Sequence, residues 1–183
     1  MANPSKAKGD QAERDALAYL LDICDGDPHL RLNPMRQLGA GRRDDIGDLA
    51  VLDDTVVQVK ACNPRTLVRS VRSAAEGALA QQANALTPYA VGMTKFPGAR
   101  TPTVRWIAST YQWPAELDPD AGVREFGTAV ASALVYVRDD TSPAPRTHRV
   151  ARISGRGLPP MFVAPFEAWL DARRAALIPS TVP

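Results

Sequence analysis

The chain predicts an α/β fold, a mixed central β-sheet flanked by helices, and three observations carry that expectation. Ala12, Ala16, Leu17, Leu20, Leu21 and Cys24 recur at helical spacing and mark one face of an opening helix. Two short apolar runs, Leu49 to Val51 and Val56 to Val59, flank Asp53-Asp54 as paired strands flank a hairpin turn. A second helical stripe, Leu67, Val68, Val71, Ala75, Ala78, Leu79 and Leu86, then leads into β-rich runs at Tyr89–Thr94 and Val104–Ala108. Helix, strand pair, helix and strand pair is the order of a mixed sheet covered by helices.

Each element follows from local chemistry. Residues 1–8 are polar and predict a flexible N-terminus, after which the first helix carries Glu13 at the edge of its apolar stripe. Residues 25–43 form a connection rich in Gly, Pro and Arg, with one short strand near Leu30-Arg31-Leu32. Within it, Gly39-Ala40-Gly41-Arg42-Arg43 combines free backbone amides with two guanidiniums, which suits either a phosphate clamp or a plain surface loop. Asn63-Pro64 reads as the N-cap and first position of the second helix. Arg65, Arg69 and Arg72 share one neighbourhood of that helix and form a cationic ridge, while Gln81 and Gln82 read as polar filler on its exposed face.

Tyr89–Thr94 reads as a buried strand and Lys95-Phe96-Pro97-Gly98 as a turn, with Lys95 at the strand end. The alternation through Arg105, Trp106 and Ile107 predicts an edge strand. Residues 113–122 read as a loop or insertion, and Ala131–Arg138 and His148–Ile153 as two strands of a C-terminal β-hairpin with a long polar connection. Arg138, Arg146, Arg149, Arg152 and Arg156 make that arm a second basic cluster. Phe166, Trp169, Leu170 and Leu177 predict a closing helix before a tail from residue 179.

Composition bounds the function. A chain of 183 residues with 45% hydrophobic content suits one packed domain: a core over residues 9–112 and a hairpin-and-helix extension over residues 113–178. It carries neither an apolar run of membrane length nor a secretory h-region, so a cytoplasmic protein is expected. Cys24 and Cys62, with only His29 and His148 to join them, make neither a disulfide framework nor a zinc site and read as packed free thiols. Walker loop, Rossmann fingerprint and nucleophile triad are all absent from the sequence. The net charge of +2 is small, but between Arg31 and Arg105 basic residues outnumber acidic ones by eleven to six, and most of them are Arg.

The chemistry-bearing residues gather in the hairpin. On an extended strand Gln58 and Lys60 point one way, Val57 and Val59 point into a core, and Asp48 faces with Gln58 and Lys60. A carboxylate, an amide oxygen and an ammonium thus meet on neighbouring strands. Asp44 and Asp45 compete for the role of Asp48, but they precede the apolar strand in which Asp48 is embedded.

The order Glu13, Asp48, then Gln58-Val59-Lys60 resembles the PD-(D/E)xK nuclease superfamily, and Lys8-Gly9-Asp10-Gln11-Ala12-Glu13-Arg14 resembles the opening helix of archaeal-type and phage Holliday junction resolvases. The resemblance covers roughly the first 110 residues. The family usually has Glu at the position of Gln58; Mrr-type endonucleases, with a Gln-x-Lys, are the more similar there. An amide oxygen is a weaker ligand for a hard cation than a carboxylate. The resemblance implies a restriction-endonuclease-like core and a DNA endonuclease acting as a homodimer on branched DNA. It implies Mg²⁺, with Mn²⁺ able to substitute, held by Asp48, the Gln58 side chain and the Val59 carbonyl, with Glu13 completing the site directly or through water. Lys60 would orient the attacking water or stabilise developing charge, and Arg42, Arg43, Arg65, Arg69, Arg72 and Lys95 would contact DNA. An Mrr-like restriction or repair nuclease, and a noncatalytic DNA-binding module that kept the fold, are the alternatives.

Overall fold

A computed structural model describes residues 4–37, 47–98, 105–117, 122–138, 148–155 and 159–177, together with Pro145 and Gly157. In chain order these form α1 (Pro4–Ile23), β1 (Leu30–Arg36), β2 (Leu49–Leu52), β3 (Thr55–Lys60), α2 (Leu67–Ala85), β4 (Tyr89–Lys95), β5 (Trp106–Thr110), β6 (Val123–Glu125), α3 (Val130–Arg138), β7 (Val150–Ile153), β8 (Met161–Pro165) and α4 (Phe166–Leu177). The strands make one eight-stranded mixed sheet in the order β1-β2-β3-β4-β5-β8-β7-β6. Helices α1 and α4 cover one face, where Leu20, Val57, Val59, Met93, Phe166 and Trp169 pack together. Helices α2 and α3 cover the other, through Val71, Ala75, Ile107, Leu134, Val137 and Val163.

The site is positioned by the β2–β3 hairpin and the crossover that follows it. Leu49 pairs with Val57 across the antiparallel hairpin, and Val57 pairs with Val91 of the parallel strand β4. Parallel neighbours need a long connection, and α2 supplies it. That helix lies very close to β4, because a Cβ on Gly92 would stand 2.4 Å from the Ala74 carbonyl carbon. Glycine is therefore what lets the helix and the strand touch backbone to backbone.

The far end of the hairpin is locked by buried charge. Arg173 of α4, fully buried, donates to both oxygens of Asp54 at 3.0 and 3.1 Å through Nε and to Asp27 at 2.9 Å through Nη1. Asp27, in the turn after α1, also accepts from Arg174 Nε at 3.1 Å and from the His29 backbone N–H at 3.0 Å. Burial opposes the charge on Asp27, but these donors outweigh it and hold its pKa below the ordinary aspartate range. One cluster thus ties α1, the β2–β3 turn and α4 together.

Several expected elements come out differently. Ala131–Arg138 is not a hairpin arm but most of α3: Val130, Ala133, Leu134 and Val137 recur at helical spacing and bury that face, which outweighs the β preference of the valines. A hairpin does exist nearby, between β7 and β8. Strand β5 is interior rather than at an edge, flanked by β4 and β8 and buried throughout. Asn63 caps a turn rather than α2: its Oδ1 accepts from the Arg65 and Thr66 backbone N–H groups at 3.0 Å, and the helix begins after Thr66. Gln81 is buried, not surface filler. The short strand expected near Leu30 runs the length of β1, an edge strand with Pro34 inside it and a register shift between Leu30 and Met35.

Candidate functional site

Asp48 and Gln58 meet where β2 begins and β3 ends. Gly47, in a left-handed conformation at φ 114° and packed 3.2 Å (from an ideal Cβ) against Val56 Cγ1 and the Val57 carbonyl, delivers the chain onto β2. The Asp48 backbone N–H then donates to the Val57 carbonyl at 3.0 Å, so Asp48 stands opposite Gln58 on the hairpin. Its Oδ2 accepts from the Val59 backbone N–H at 2.7 Å and from the Gln58 side-chain amide. The same Gln58 Nε2 lies 3.4 Å from the Val59 carbonyl. Both side chains are buried, and Gln58 lies under α2.

Helix α2 makes room for them at Gly77. A Cβ there would lie 3.1 to 3.3 Å from the Gln58 side chain, so the bare position lets the helix cross over the amide without pushing it aside. Lys60 follows Gln58 by two residues and so projects from the same face of β3. It is half-buried, and among the described residues it has no ion-pair partner. Thr94 pairs with Lys60 across the parallel ladder, and its hydroxyl is fully buried without a hydrogen-bond partner among the described residues.

No known family, curated protein or solved structure matches the chain. The chemistry of these residues must therefore carry the functional conclusion.

The remaining expected site residues divide between the two faces of the sheet. Glu13 belongs to α1, on the opposite layer from Gln58, and its carboxylate is held by Arg36 of β1 through Nε at 2.9 Å and Nη2 at 2.5 Å. Arg36 also binds Asp10 at 3.0 Å and pairs in the ladder with Leu49, one residue from Asp48. Lys95 is on the α1 side as well, joined to Asp15 at 2.7 Å and set over the Trp106 ring. The hydrogen bond from Lys95 holds the Asp15 carboxyl below its ordinary range. Arg65 is exposed in the turn before α2 rather than on the helix, Arg69 is exposed on its first turn, and Arg72 follows one turn later. Arg42, Arg43, Asp44 and Asp45 lie outside the described residues.

The other acidic and cysteine candidates are accounted for by packing. His29, Asp53 and Asp54 bring ligand atoms together, but Asp54 is already engaged by Arg173 and His29 Nδ1 by Asp53 at 2.7 Å. Both cysteines are free; burial pushes the Cys24 thiol up to about 11, and Cys62 donates to the Lys95 carbonyl at 3.0 Å. In the C-terminal basic cluster Arg149 is buried, Arg152 pairs with Glu125 at 3.0 Å and Arg138 lies over Phe96. Arg146 and Arg156 lie outside the described residues. No described helix is long and apolar enough to cross a membrane.

Arg36, Gly47, Gly77 and Thr94 are the residues sequence reasoning passed over. Gly47 directly precedes the carboxylate and Gly77 borders the buried stripe of α2, so both had a signal in principle. Arg36 had none, because its partner is 23 positions away.

Proposed function

We propose that this protein is a divalent-metal-dependent DNA endonuclease of the PD-(D/E)xK kind, acting on branched DNA. The observation that carries the reading is the cross-strand pair of Asp48 and Gln58, with Lys60 next along the same face. The element order around it, one helix, three antiparallel-paired strands, a crossover helix and a parallel fourth strand, agrees with a restriction-endonuclease-like core.

The donor set fits a hard cation that is held loosely until substrate arrives. Mg²⁺ is commonly bound by one or two carboxylates together with substrate phosphate oxygens. Asp48 offers the carboxylate and Val59 a carbonyl. Gln58 must turn its amide over, so that Oε1 rather than Nε2 faces Asp48. When bound, the metal would offset phosphate charge and acidify a water. Lys60 supplies a fixed positive charge beside that position and would steady the phosphate oxygen or the attacking water. Arg65, Arg69 and Arg72 would track the phosphates leading to it.

The decisive experiment incubates the protein with labelled four-way junction, fork and linear duplex, each with Mg²⁺, Mn²⁺ or EDTA. Cleavage of branched DNA that requires the metal is the expected result; cleavage that survives EDTA overturns the mechanism. Preference for linear duplex would point instead to an Mrr-like role. One observation favours a noncatalytic DNA-binding module: the Gln58 N–H already occupies Asp48 and Arg36 occupies Glu13. DNA binding without cleavage under any metal would establish that reading.

A further inference from the structure

A groove of about 470 Å³ opens beside α2, on the face of the sheet that carries Gln58 and Lys60. Its floor is apolar: Ile153 of β7 and Met161 of β8 are buried beneath it, and Leu79 of α2 walls it. Tyr111 adds a partly buried aromatic ring. Two charged residues sit at the rim, Arg72 and Glu76, one helical turn apart and hence on one side of α2. Arg72 makes a single long hydrogen bond among the described residues, from Nη2 to the Thr128 carbonyl at 3.4 Å. Glu76 is exposed and has no hydrogen-bond partner among them. Burial and the Glu76 charge push the Tyr111 phenol up, so it stays neutral.

We infer that this groove receives one unpaired nucleotide of DNA, with its base over the apolar floor beside Tyr111, its donor edge on Glu76 and its phosphate on Arg72. The inference rests on the DNA-binding reading and names the structural feature of DNA that the protein recognises. Arg72 lines the groove and stands one turn after Arg69 on α2, so a strand whose phosphates follow these two arginines is led to the groove. An aromatic and aliphatic floor accepts any base by stacking. The carboxylate refines the choice, because it only accepts hydrogen bonds: a base with an exocyclic amino group, cytosine, adenine or guanine, fits better than thymine, whose one donor is its ring N3–H. Bulges, forks and junctions offer such a base freely, whereas a duplex must first be unstacked.

Binding is measured in EDTA, so that cleavage plays no part, by fluorescence anisotropy with a plain duplex and the same duplex carrying one bulged cytosine or one bulged thymine. The bulged cytosine should bind about ten-fold tighter than the plain duplex, and the bulged thymine should fall between them. Ala80→Trp, at an exposed position lining the groove, should fill it and erase the preference for bulged DNA. Glu76→Gln, also exposed, should narrow the gap between cytosine and thymine, and it carries the test if Ala80→Trp does not fold by circular dichroism. Duplex binding with no preference for either bulge overturns the groove assignment alone. A preference that persists in folded Ala80→Trp does the same. Failure to bind all three DNAs overturns both this inference and the DNA-binding reading beneath it.

Discussion

Asp48 and Gln58 face a conflict between holding the hairpin and holding a cation. Asp48 accepts two buried donors, the Val59 N–H and the Gln58 amide, so truncating it strands them both. Asp48→Ala should therefore cost about 1–3 kcal/mol of stability, read by urea denaturation. Asp48→Asn keeps an acceptor for Val59 and is the cleaner probe of catalysis; it and Lys60→Ala should each abolish metal-dependent cleavage while DNA binding, followed by gel shift, persists. Gln58→Glu is more discriminating. A second carboxylate against Asp48 in a buried site is repulsive, so this variant should melt a few degrees below the wild type in EDTA, about 2–4 °C for each kcal/mol lost. Millimolar Mg²⁺ should restore the melting temperature. Equal melting of Gln58→Glu with and without Mg²⁺ would remove this pair from consideration as a metal site. Strand alternation was enough to place Asp48 with Gln58 from the sequence, since the period of two leaves no other choice. It could not reveal that the shared face is also covered, because that depends on where α2 lands.

At the level of elements, α2 serves two purposes on opposite sides. Its inner side presses against β4 at Gly92 and over Gln58 at Gly77, while its first two turns present Arg69 and Arg72, and the turn before it presents Arg65. Gly92→Ala should lower stability by about 1–3 kcal/mol or more, because the new methyl meets helix backbone that cannot rotate away; an unaltered thermal melt would mean that the two elements can separate. Replacing the three arginines with Gln should reduce the slope of log affinity against log salt by about two to three, one for each lost phosphate contact. An unchanged slope would return the ridge to ordinary solvated surface. The helix itself was readable from its stripe, but its start was not: Asn63-Pro64 has the chemistry of a cap, and the Asx turn it forms consumes that chemistry before the helix begins. Valine-rich α3 was misread for a related reason, since over nine residues a β preference and a helical period compete on nearly equal terms.

For the whole molecule, the Arg173 cluster decides how stability responds to acid. The folded pKa of Asp27 lies below its unfolded value, so the unfolded chain binds more protons as pH falls through that window. Its contribution is complete above the ordinary aspartate range and is lost as pH drops from about 4 toward the folded value. Asp27→Asn should therefore flatten the acid limb of a stability–pH profile measured by urea denaturation. Removing the cation is harsher: Arg173→Met strips the buried Asp54 of its guanidinium and leaves Asp27 only Arg174 and the His29 N–H, and should cost about 3–5 kcal/mol. A loss below about 1 kcal/mol would mean that water reaches the cluster freely. None of this was legible in the sequence, because Arg173 stands 119 and 146 positions from its partners and no local pattern marks it.

A β-sheet ends wherever its last strand stops offering hydrogen bonds, and β1 does so abruptly. Pro34 has no N–H to give, and the register shift between Leu30 and Met35 bends the strand out of line. Leu32, almost wholly exposed, and Met35 nevertheless leave apolar side chains along this rim. The strand is thus oily yet unable to act as a template, so that neighbouring copies are denied the continuous backbone zipper from which fibrils grow. Should two copies pair through this rim, side chains rather than main-chain bonds would hold them together.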